Sequence, residues 1–287
     1  MRKTFDRISE MMSFRICGSI VVLLTIILAQ NMFVGTVKSQ SYTHSVFVEI
    51  FASSWCDPCR DEQSTIRKLS ENNTHAAHFV VYHLQDMWST EDAVSRANEF
   101  GFNFVPSHAC DGGYSRTSGA IMQTPEVQST ASRSVHLIEL TVTKAVNGNV
   151  LYVQVSITER NGYPFSGEVV AYVTENKINV NGTEWNSAYR GRVISQGVYL
   201  KPNSYSALYG NWSIPSDSRS NMLEVIAVAF DRNSQGKYGP YAVQSASEKD
   251  RNLAIPEFGG WLFLLTFSTL FITASILRRS FKRGTVA

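Results

Sequence analysis

Two cysteines separated by two residues, Cys56 and Cys59, are the side chains of this sequence best suited to covalent chemistry. They follow an apolar run over Val46–Ala52, and Pro58 between them suits the first turn of a helix, where its missing N–H is not needed. At the start of a helix, unpaired amides and the positive end of the helix dipole favour thiolate over thiol. The pattern therefore predicts a redox-active dithiol, with Cys56 as the nucleophile and Cys59 as the resolving cysteine.

Metal binding is the alternative chemistry for the same cysteines. A zinc site needs two more closely spaced ligands, and only Cys17, Cys110 and scattered histidines remain. A copper carrier would use His83 and His108 beside the dithiol. Redox chemistry is the favoured interpretation, with no metal and no cofactor, and Cys110, which follows Pro106 in a predicted strand, is expected to be a buried core thiol.

The residues around the dithiol resemble the thioredoxin-like superfamily. An apolar strand, Trp55, the Cys-Asp-Pro-Cys motif and Arg60 stand in the order of the first signature of that family. Val105 and Pro106, followed by a short strand and a glycine-rich turn over 111–113, are similar to its second signature. The resemblance implies that Pro106 is cis and faces the dithiol, and that Val105 offers its backbone to an incoming peptide.

Glu49 lies in the apolar strand before the dithiol. The same resemblance implies a buried acid near this position that accepts the proton of the resolving cysteine. The spacing between Glu49 and the cysteines is one residue longer than in the family's pattern. Strand alternation alone would instead turn Glu49 to the solvated face. Both interpretations stay open at the level of sequence.

Strand and helix patterns alternate between residues 41 and 134. A helix is predicted over 91–100, ended by Gly101, and a closing helix is predicted over 124–131, which opens with Thr-Pro-Glu. The early acids Asp61 and Glu62 and the later basic residues complement the dipole of the helix that follows the dithiol. This half of the chain is expected to be an α/β thioredoxin-like domain.

The hydrophobic pattern changes to period two from residue 135 to about 250. Seven short strands are predicted, separated by turns such as Asn147-Gly148, while residues 176–189 are expected to be a long polar loop. Seven alternating strands are typical of an all-β immunoglobulin-like sandwich. A thioredoxin-like unit followed by such a sandwich resembles a group of exported bacterial and archaeal proteins.

Both ends of the chain carry patterns typical of membrane targeting. Residues 1–40 combine basic residues with an apolar stretch and are predicted to be a signal peptide or signal anchor. Residues 258–277 are uncharged and long enough for a transmembrane helix, and the basic tail over 278–287 is predicted to be cytoplasmic. The Pro-Glu-Phe sequence at 256–258 resembles C-terminal sorting signals of archaeal surface proteins. The region between the two ends is therefore predicted to face outward, anchored in the cell membrane by a single C-terminal span.

Three Asn-x-Ser/Thr triplets lie in the predicted outward part, at Asn72, Asn181 and Asn211. They are glycosylation sites if this part of the chain is exported, and an exported chain meets an oxidising compartment in which disulfides persist. The formal net charge of +2 over 287 residues, with 17% charged residues, gives no reason to expect nucleic acid as a partner.

Together these patterns predict a membrane-anchored extracytoplasmic thiol–disulfide oxidoreductase, with Cys56, Cys59, Val105, Pro106 and Glu49 as its site residues. The expected partners are extracytoplasmic protein thiols or disulfides and a membrane electron donor or acceptor. The alternatives are a cell-surface binding protein in which Cys56–Cys59 is a structural bridge, and an extracytoplasmic copper carrier.

Overall fold

The computed structural model describes residues 42–71, 77–180 and 182–248, and β-strands account for 52% of the residues described. The strands are β1 Val46–Ala52, β2 Ala77–His83, β3 Ser107–Cys110, β4 Ser115–Ser118, β5 Ile138–Asn147, β6 Val150–Glu159, β7 Phe165–Glu175, β8 Ile178–Val180, β9 Thr183–Trp185, β10 Ala188–Leu200, β11 Tyr205–Ser213, β12 Leu223–Gly236 and β13 Gly239–Ser247. The α-helices of this part are α1 Asp57–Glu71, α2 Glu91–Phe100 and α3 Thr124–Ala131, and a short 3₁₀ turn covers Ser220–Met222.

Eight of the strands form one mixed sheet in the order β13-β12-β7-β10-β2-β1-β3-β4. Strand β1 pairs in parallel with β2 and antiparallel with β3, so the strand that leads to the dithiol lies inside the sheet. Strand β10 joins β2 through the pairing of Ala188 with Val81. From there to β13, every pairing is antiparallel.

Among the residues described, three hydrophobic cores flank this sheet. One lies between the three-stranded sheet β11-β6-β5 and strands β7, β10, β12 and β13. A second packs one face of β1 and β2 against α1, α3 and the hairpin β8-β9. The third covers the opposite face of β1 and β2 with α2, and it continues onto β7 and β12.

The local elements agree with the sequence patterns. Helix α2 begins after Thr90, whose hydroxyl accepts the N–H of Ala93, and ends at Gly101 with φ of 66°. Helix α3 occupies the predicted residues, and each of the seven strands predicted after residue 135 is present. Strands β5 and β6 form the predicted hairpin at Asn147-Gly148.

The predicted fold class, an α/β thioredoxin-like domain plus a separate immunoglobulin-like sandwich, is wrong. Strands from both predicted domains share the eight-stranded sheet, and Phe47 of β1 stacks on Tyr172 of β7 with ring centroids 5.1 Å apart. A period-two pattern shows that a strand has a buried face, but it does not show which neighbour the strand pairs with. Strand β10 takes the free edge of β2, and the resemblance to the thioredoxin-like superfamily does not describe the resulting fold.

The predictions for the two ends of the chain lie outside the described residues. These are the signal segment at 1–40, the Pro-Glu-Phe motif, the span at 258–277 and the basic tail, together with the sequon asparagines Asn72 and Asn181. In the part that the structure describes, no helix is long and apolar enough to cross a membrane. The predicted boundaries of the chain's segments and domains stay predictions.

Candidate functional site

Cys56 and Cys59 are joined by a disulfide at the start of α1. Because the helix begins at Asp57, Cys56 occupies the position that caps its N-terminus. Its sulfur accepts the backbone N–H of Cys59 at 3.2 Å, which is the hydrogen bond that capping side chains make. Cys56 is 5% exposed and Cys59 is fully buried, so Cys56 is the sulfur closer to solvent.

A carboxylate from a neighbouring loop holds the segment that leads into the dithiol. Asp86 accepts the backbone N–H of Ser54 at 2.8 Å and that of Trp88 at 2.9 Å, and it also contacts His83 Nδ1 at 2.8 Å. Burial works to raise the pKa of Asp86, but these hydrogen bonds and the charge of His83 lower it. Asp86 therefore stays ionised and fixes the backbone directly before Trp55.

The hairpin β8-β9 supplies a wall of the dithiol site that the sequence did not predict. Residues expected to form a polar loop place Ile178, Val180 and the fully buried Trp185 in the same core as both cysteines. Trp185 contacts the ring of His83 with centroids 4.7 Å apart. The signal that could have found this hairpin is the pair of apolar residues at 178 and 180, which alternate as strand residues do.

Large apolar side chains are exposed on the loops around the dithiol. Trp55 is 57% exposed and Met87 is 79% exposed, and the two loops meet where Trp55 Nε1 donates to the carbonyl of Gln85. Phe104 is 69% exposed and directly precedes Val105, which packs against the core that contains the cysteines. The Trp55–Gln85 hydrogen bond thus places exposed Trp55 beside the segment that carries Met87.

The structure brings Val105 to this core, while the placement of Pro106 opposite the dithiol stays a prediction. The Val105–Pro106 peptide bond is cis, Pro106 is buried, and Val105 is half-buried against the core of the cysteines. The cis bond at Pro106 is thus confirmed, while the role of Val105 in binding a peptide stays a prediction.

Glu49 is not brought to the dithiol. Side chains of a strand alternate between faces, so Val48 and Ile50 point to the core of the cysteines and Glu49 points to the opposite face. There it is fully buried, and its two oxygens accept from Arg96 Nε at 2.8 Å and Nη2 at 2.9 Å. Glu49 is therefore neither a proton acceptor beside the dithiol nor a solvated side chain. It is the buried partner of Arg96 in an ion pair.

A different acid, Glu62, lies on the buried face of α1 with Cys59. The two residues are one helical turn apart and are both fully buried. Glu62 Oε1 accepts the backbone N–H of Met122 at 3.1 Å, whereas Oε2 has no hydrogen-bond partner among the described residues. Burial raises the pKa of Glu62 to about 7, against the opposing effects of the Met122 amide and of His108.

The polar cluster continues from Glu62 toward the surface. His108 Nδ1 lies 3.9 Å from Glu62 Oε1, and His108 Nε2 lies 2.7 Å from Oε2 of Glu126, whose side chain is 18% exposed. Burial works to raise the pKa of Glu126, but hydrogen bonds from His108 and Ser115 lower it. A chain of titratable groups thus extends from the helix turn of Cys59 to the solvent side.

The remaining groups near the site were expected either as metal ligands or as core residues. Cys110 is a free, buried thiol, as predicted, and burial raises its pKa well above the ordinary value. His83 and His108 are each engaged with a carboxylate, Asp86 and Glu126. Within the described ranges, no group of three or more His, Cys, Asp or Glu side chains could hold a metal ion.

Comparison with known proteins does not assign this chain to a family. No protein-family model matches it, and no curated protein matches it. Among solved structures, protein AGR_C_4864 from Agrobacterium tumefaciens is similar over 71% of this chain and 93% of its own, with 11% identity and a TM-score of 0.49. The sporulation control protein Spo0M of Bacillus subtilis covers 38% of this chain and 46% of its own, with 11% identity and a TM-score of 0.25. Beta-glucuronidase 2 of Bacteroides uniformis covers 38% of this chain and 12% of its own, with 8% identity and a TM-score of 0.27. Likenesses at this level define neither the fold nor the function.

Proposed function

We propose that this protein is a membrane-anchored extracytoplasmic thiol–disulfide oxidoreductase that uses the Cys56/Cys59 couple. The observation that carries the proposal is the placement of the pair, with Cys56 at the N-terminal cap of α1 and its sulfur accepting the N–H of Cys59. A thiolate at this position gains from the hydrogen bond and from the helix dipole. Catalytic cysteines are found in such microenvironments, whereas a purely structural cysteine does not need one.

The reaction has two exchange steps. In the reduced protein, the Cys56 thiolate attacks a client disulfide, forms a mixed disulfide with one client sulfur and releases the other as a thiolate. Cys59 then loses its proton and attacks the Cys56 sulfur, which restores the Cys56–Cys59 disulfide and releases the second client thiolate. The client disulfide is reduced by two electrons and the dithiol is oxidised by two. The same steps in reverse oxidise a client, and a membrane electron donor or acceptor resets the couple.

Glu62 supports the second step as the acceptor of the Cys59 proton. Side chains on a helix lean toward its N-terminus, so the carboxyl of Glu62 points back along the turn that holds Cys59. An acceptor is most effective when its pKa lies near the working pH, and the pKa of Glu62 is about 7. Glu49, on the other face of the sheet, takes no part in this step.

The client is expected to be an extended protein segment that carries apolar side chains. Trp55, Met87 and Phe104 are exposed on the loops that border the dithiol, and Val105 lies between Phe104 and the cysteine core. Apolar side chains of a client bury against such a surface, and its disulfide is then held beside Cys56.

Replacement of Cys59 by serine tests the proposal. The Cys59→Ser variant, mixed in reduced form with a disulfide-bonded protein substrate, is expected to accumulate a mixed disulfide through Cys56, because the resolving thiol is absent. Non-reducing electrophoresis and mass spectrometry identify the linked cysteine. Cys110→Ser is the matched control and should turn over substrate at the wild-type rate, since Cys110 is buried and outside the couple. If Cys59→Ser forms no adduct while it retains its fold, the assignment fails.

A structural bridge in a surface-binding protein is the second candidate function. The observation in its favour is the low exposure of the two cysteines, 5% for Cys56 and 0% for Cys59. In that case Cys59→Ser would lower stability and would form no mixed disulfide, so the same experiment separates the two functions.

A further inference from the structure

The outer face of the sheet β11-β6-β5 carries exposed tyrosines that the dithiol chemistry does not use. Tyr152 on β6 is 48% exposed, Tyr209 on β11 is 71% exposed, and Tyr205 on the same strand is 77% exposed. The opposite face of this sheet packs into the core, where Leu151, Val153 and Leu208 are buried. Tyr209 and Tyr152 are diagonal neighbours across β11 and β6, and they form an aromatic patch on the solvent side of the sheet.

Asn211, the acceptor of the sequon Asn211-Trp212-Ser213, lies within this patch. It is exposed and shares the outer face with Tyr209, because residues two apart on a strand point to the same side. Across the sheet, Asn211 pairs directly with Tyr152. Ser213 is exposed on the same face, whereas Trp212 points inward and packs against the core.

A hollow of about 400 Å³ lies beside Asn211. Its lining includes Tyr152, Tyr209, Asn211, Gln154, Thr143 and Ala145. This volume is within the range of about 300–1,000 Å³ that is usual for small-molecule sites. The hollow thus combines two aromatic rings with amide and hydroxyl groups.

We infer that Asn211 is N-glycosylated and that the sugar attached to it packs into the hollow against Tyr209 and Tyr152. A sugar ring has an apolar C–H face and polar hydroxyl edges, so it matches aromatic rings flanked by the Gln154 amide and the Thr143 hydroxyl. Attachment at Asn211 holds the sugar beside the rings at high effective concentration. The inference is independent of the dithiol chemistry and requires only that this part of the chain is exported, as the sequence predicts.

The first measurement is mass spectrometry of the peptide that contains Asn211, taken from the full-length chain purified from its own cells. The expected result is a peptide that carries a glycan, and the Ser213→Ala variant should lose this glycan, whereas Ser213→Thr should keep it. An unmodified Asn211 in the wild-type chain overturns the inference. If that unmodified chain binds added oligosaccharides and Tyr209→Ser abolishes the binding, the patch is a site for free sugar instead.

The second measurement compares thermal midpoints in two backgrounds. In the chain with Tyr209, loss of the glycan through Ser213→Ala is expected to lower the midpoint by about 2–4 °C, the shift typical of a small stability change in a domain of this size. In the Tyr209→Ser background, with glycan occupancy verified, the same substitution should shift the midpoint by less than about 1 °C. Equal shifts in the two backgrounds would show that the sugar is attached but does not pack on the ring, and would overturn this part of the inference.

Discussion

The Arg96→Met variant is expected to lose about 3–5 kcal/mol of unfolding free energy, because Glu49 is left as an unpaired charge inside the protein. Glu49 is fully buried, and both of its oxygens accept from the Arg96 guanidinium, whereas the Tyr82 hydroxyl adds only a neutral and longer hydrogen bond of 3.4 Å to Oε1. Methionine keeps aliphatic contact with the ring of Phe100, over which the guanidinium lies at 4.2 Å, so the change mainly removes the charge. Urea unfolding followed by tryptophan fluorescence measures the loss.

Two further variants make this experiment decisive. Arg160→Met is the matched control, because Arg160 pairs with Glu139 at the surface with both side chains about half exposed, and its loss should stay within about 0.5 kcal/mol. The double variant Glu49→Met/Arg96→Met should regain most of the stability, since neither charge is then left unpaired. A loss for Arg96→Met as small as that for Arg160→Met would contradict the buried ion pair.

The Glu62→Gln variant is expected to resolve mixed disulfides at least about 10²-fold more slowly, the lower end of the usual contribution of a positioned proton acceptor. The wild-type rate of this step should rise with pH around the Glu62 pKa of about 7, and the rise should disappear in the variant. Stopped-flow measurement of the release of a client thiol from a preformed mixed disulfide provides both results. Asp61→Asn, an exposed neighbour on α1, and Glu49→Gln should leave this pH profile unchanged. If Glu62→Gln keeps the wild-type profile, Glu62 is not the acceptor.

The same substitution should raise stability at alkaline pH. The pKa of Glu62 is higher in the folded protein than its ordinary value of 4.5, so the folded state binds this proton more tightly. The associated stability is fully present below about pH 4.5 and is lost as the pH rises through about 7. At pH 8, Glu62→Gln should therefore be more stable than the wild type by up to about 3 kcal/mol. Slower chemistry together with higher stability would distinguish a functional acid from a structural one.

The sequence predicted the elements of this fold better than their arrangement. Helix α2 carries its own signals in Thr90 and Gly101, and the dithiol marks the start of α1. The pairing of Ala188 with Val81, which joins β10 to β2, has no comparable signal, because it links residues distant in the chain. This pairing joins the strands of the two expected domains in one continuous sheet, and contacts such as that of Phe47 with Tyr172 hold them together.

The residues around the dithiol were likewise predicted better one by one than in their arrangement. By residue type and place in the chain, Glu62 resembles its neighbour Asp61, because both are acids near the start of a helix. The signal that separates them is periodicity, since Glu62 falls in line with Cys59 and Ile66 on the buried face of α1. Glu49 could have been excluded as the proton acceptor in a similar way. Strand alternation turns its side chain to the face of the sheet away from Val48 and away from the cysteines. Its partner Arg96, which keeps it buried and charged, comes from a helix that only the folded structure places beside it.

The reduction potential of the Cys56/Cys59 couple tests the central claim most directly. The full-length Cys110→Ser chain, which lacks this free thiol, is equilibrated with defined ratios of reduced and oxidised glutathione or dithiothreitol. Free thiols are then alkylated, and mass spectrometry measures the fraction of Cys56 and Cys59 that is reduced. A redox-active couple is expected between about −270 and −120 mV, the range spanned by reductants and oxidants of this chemistry. A value below about −300 mV, typical of structural disulfides in secreted proteins, would contradict the proposed function and leave Cys56–Cys59 as a structural bridge.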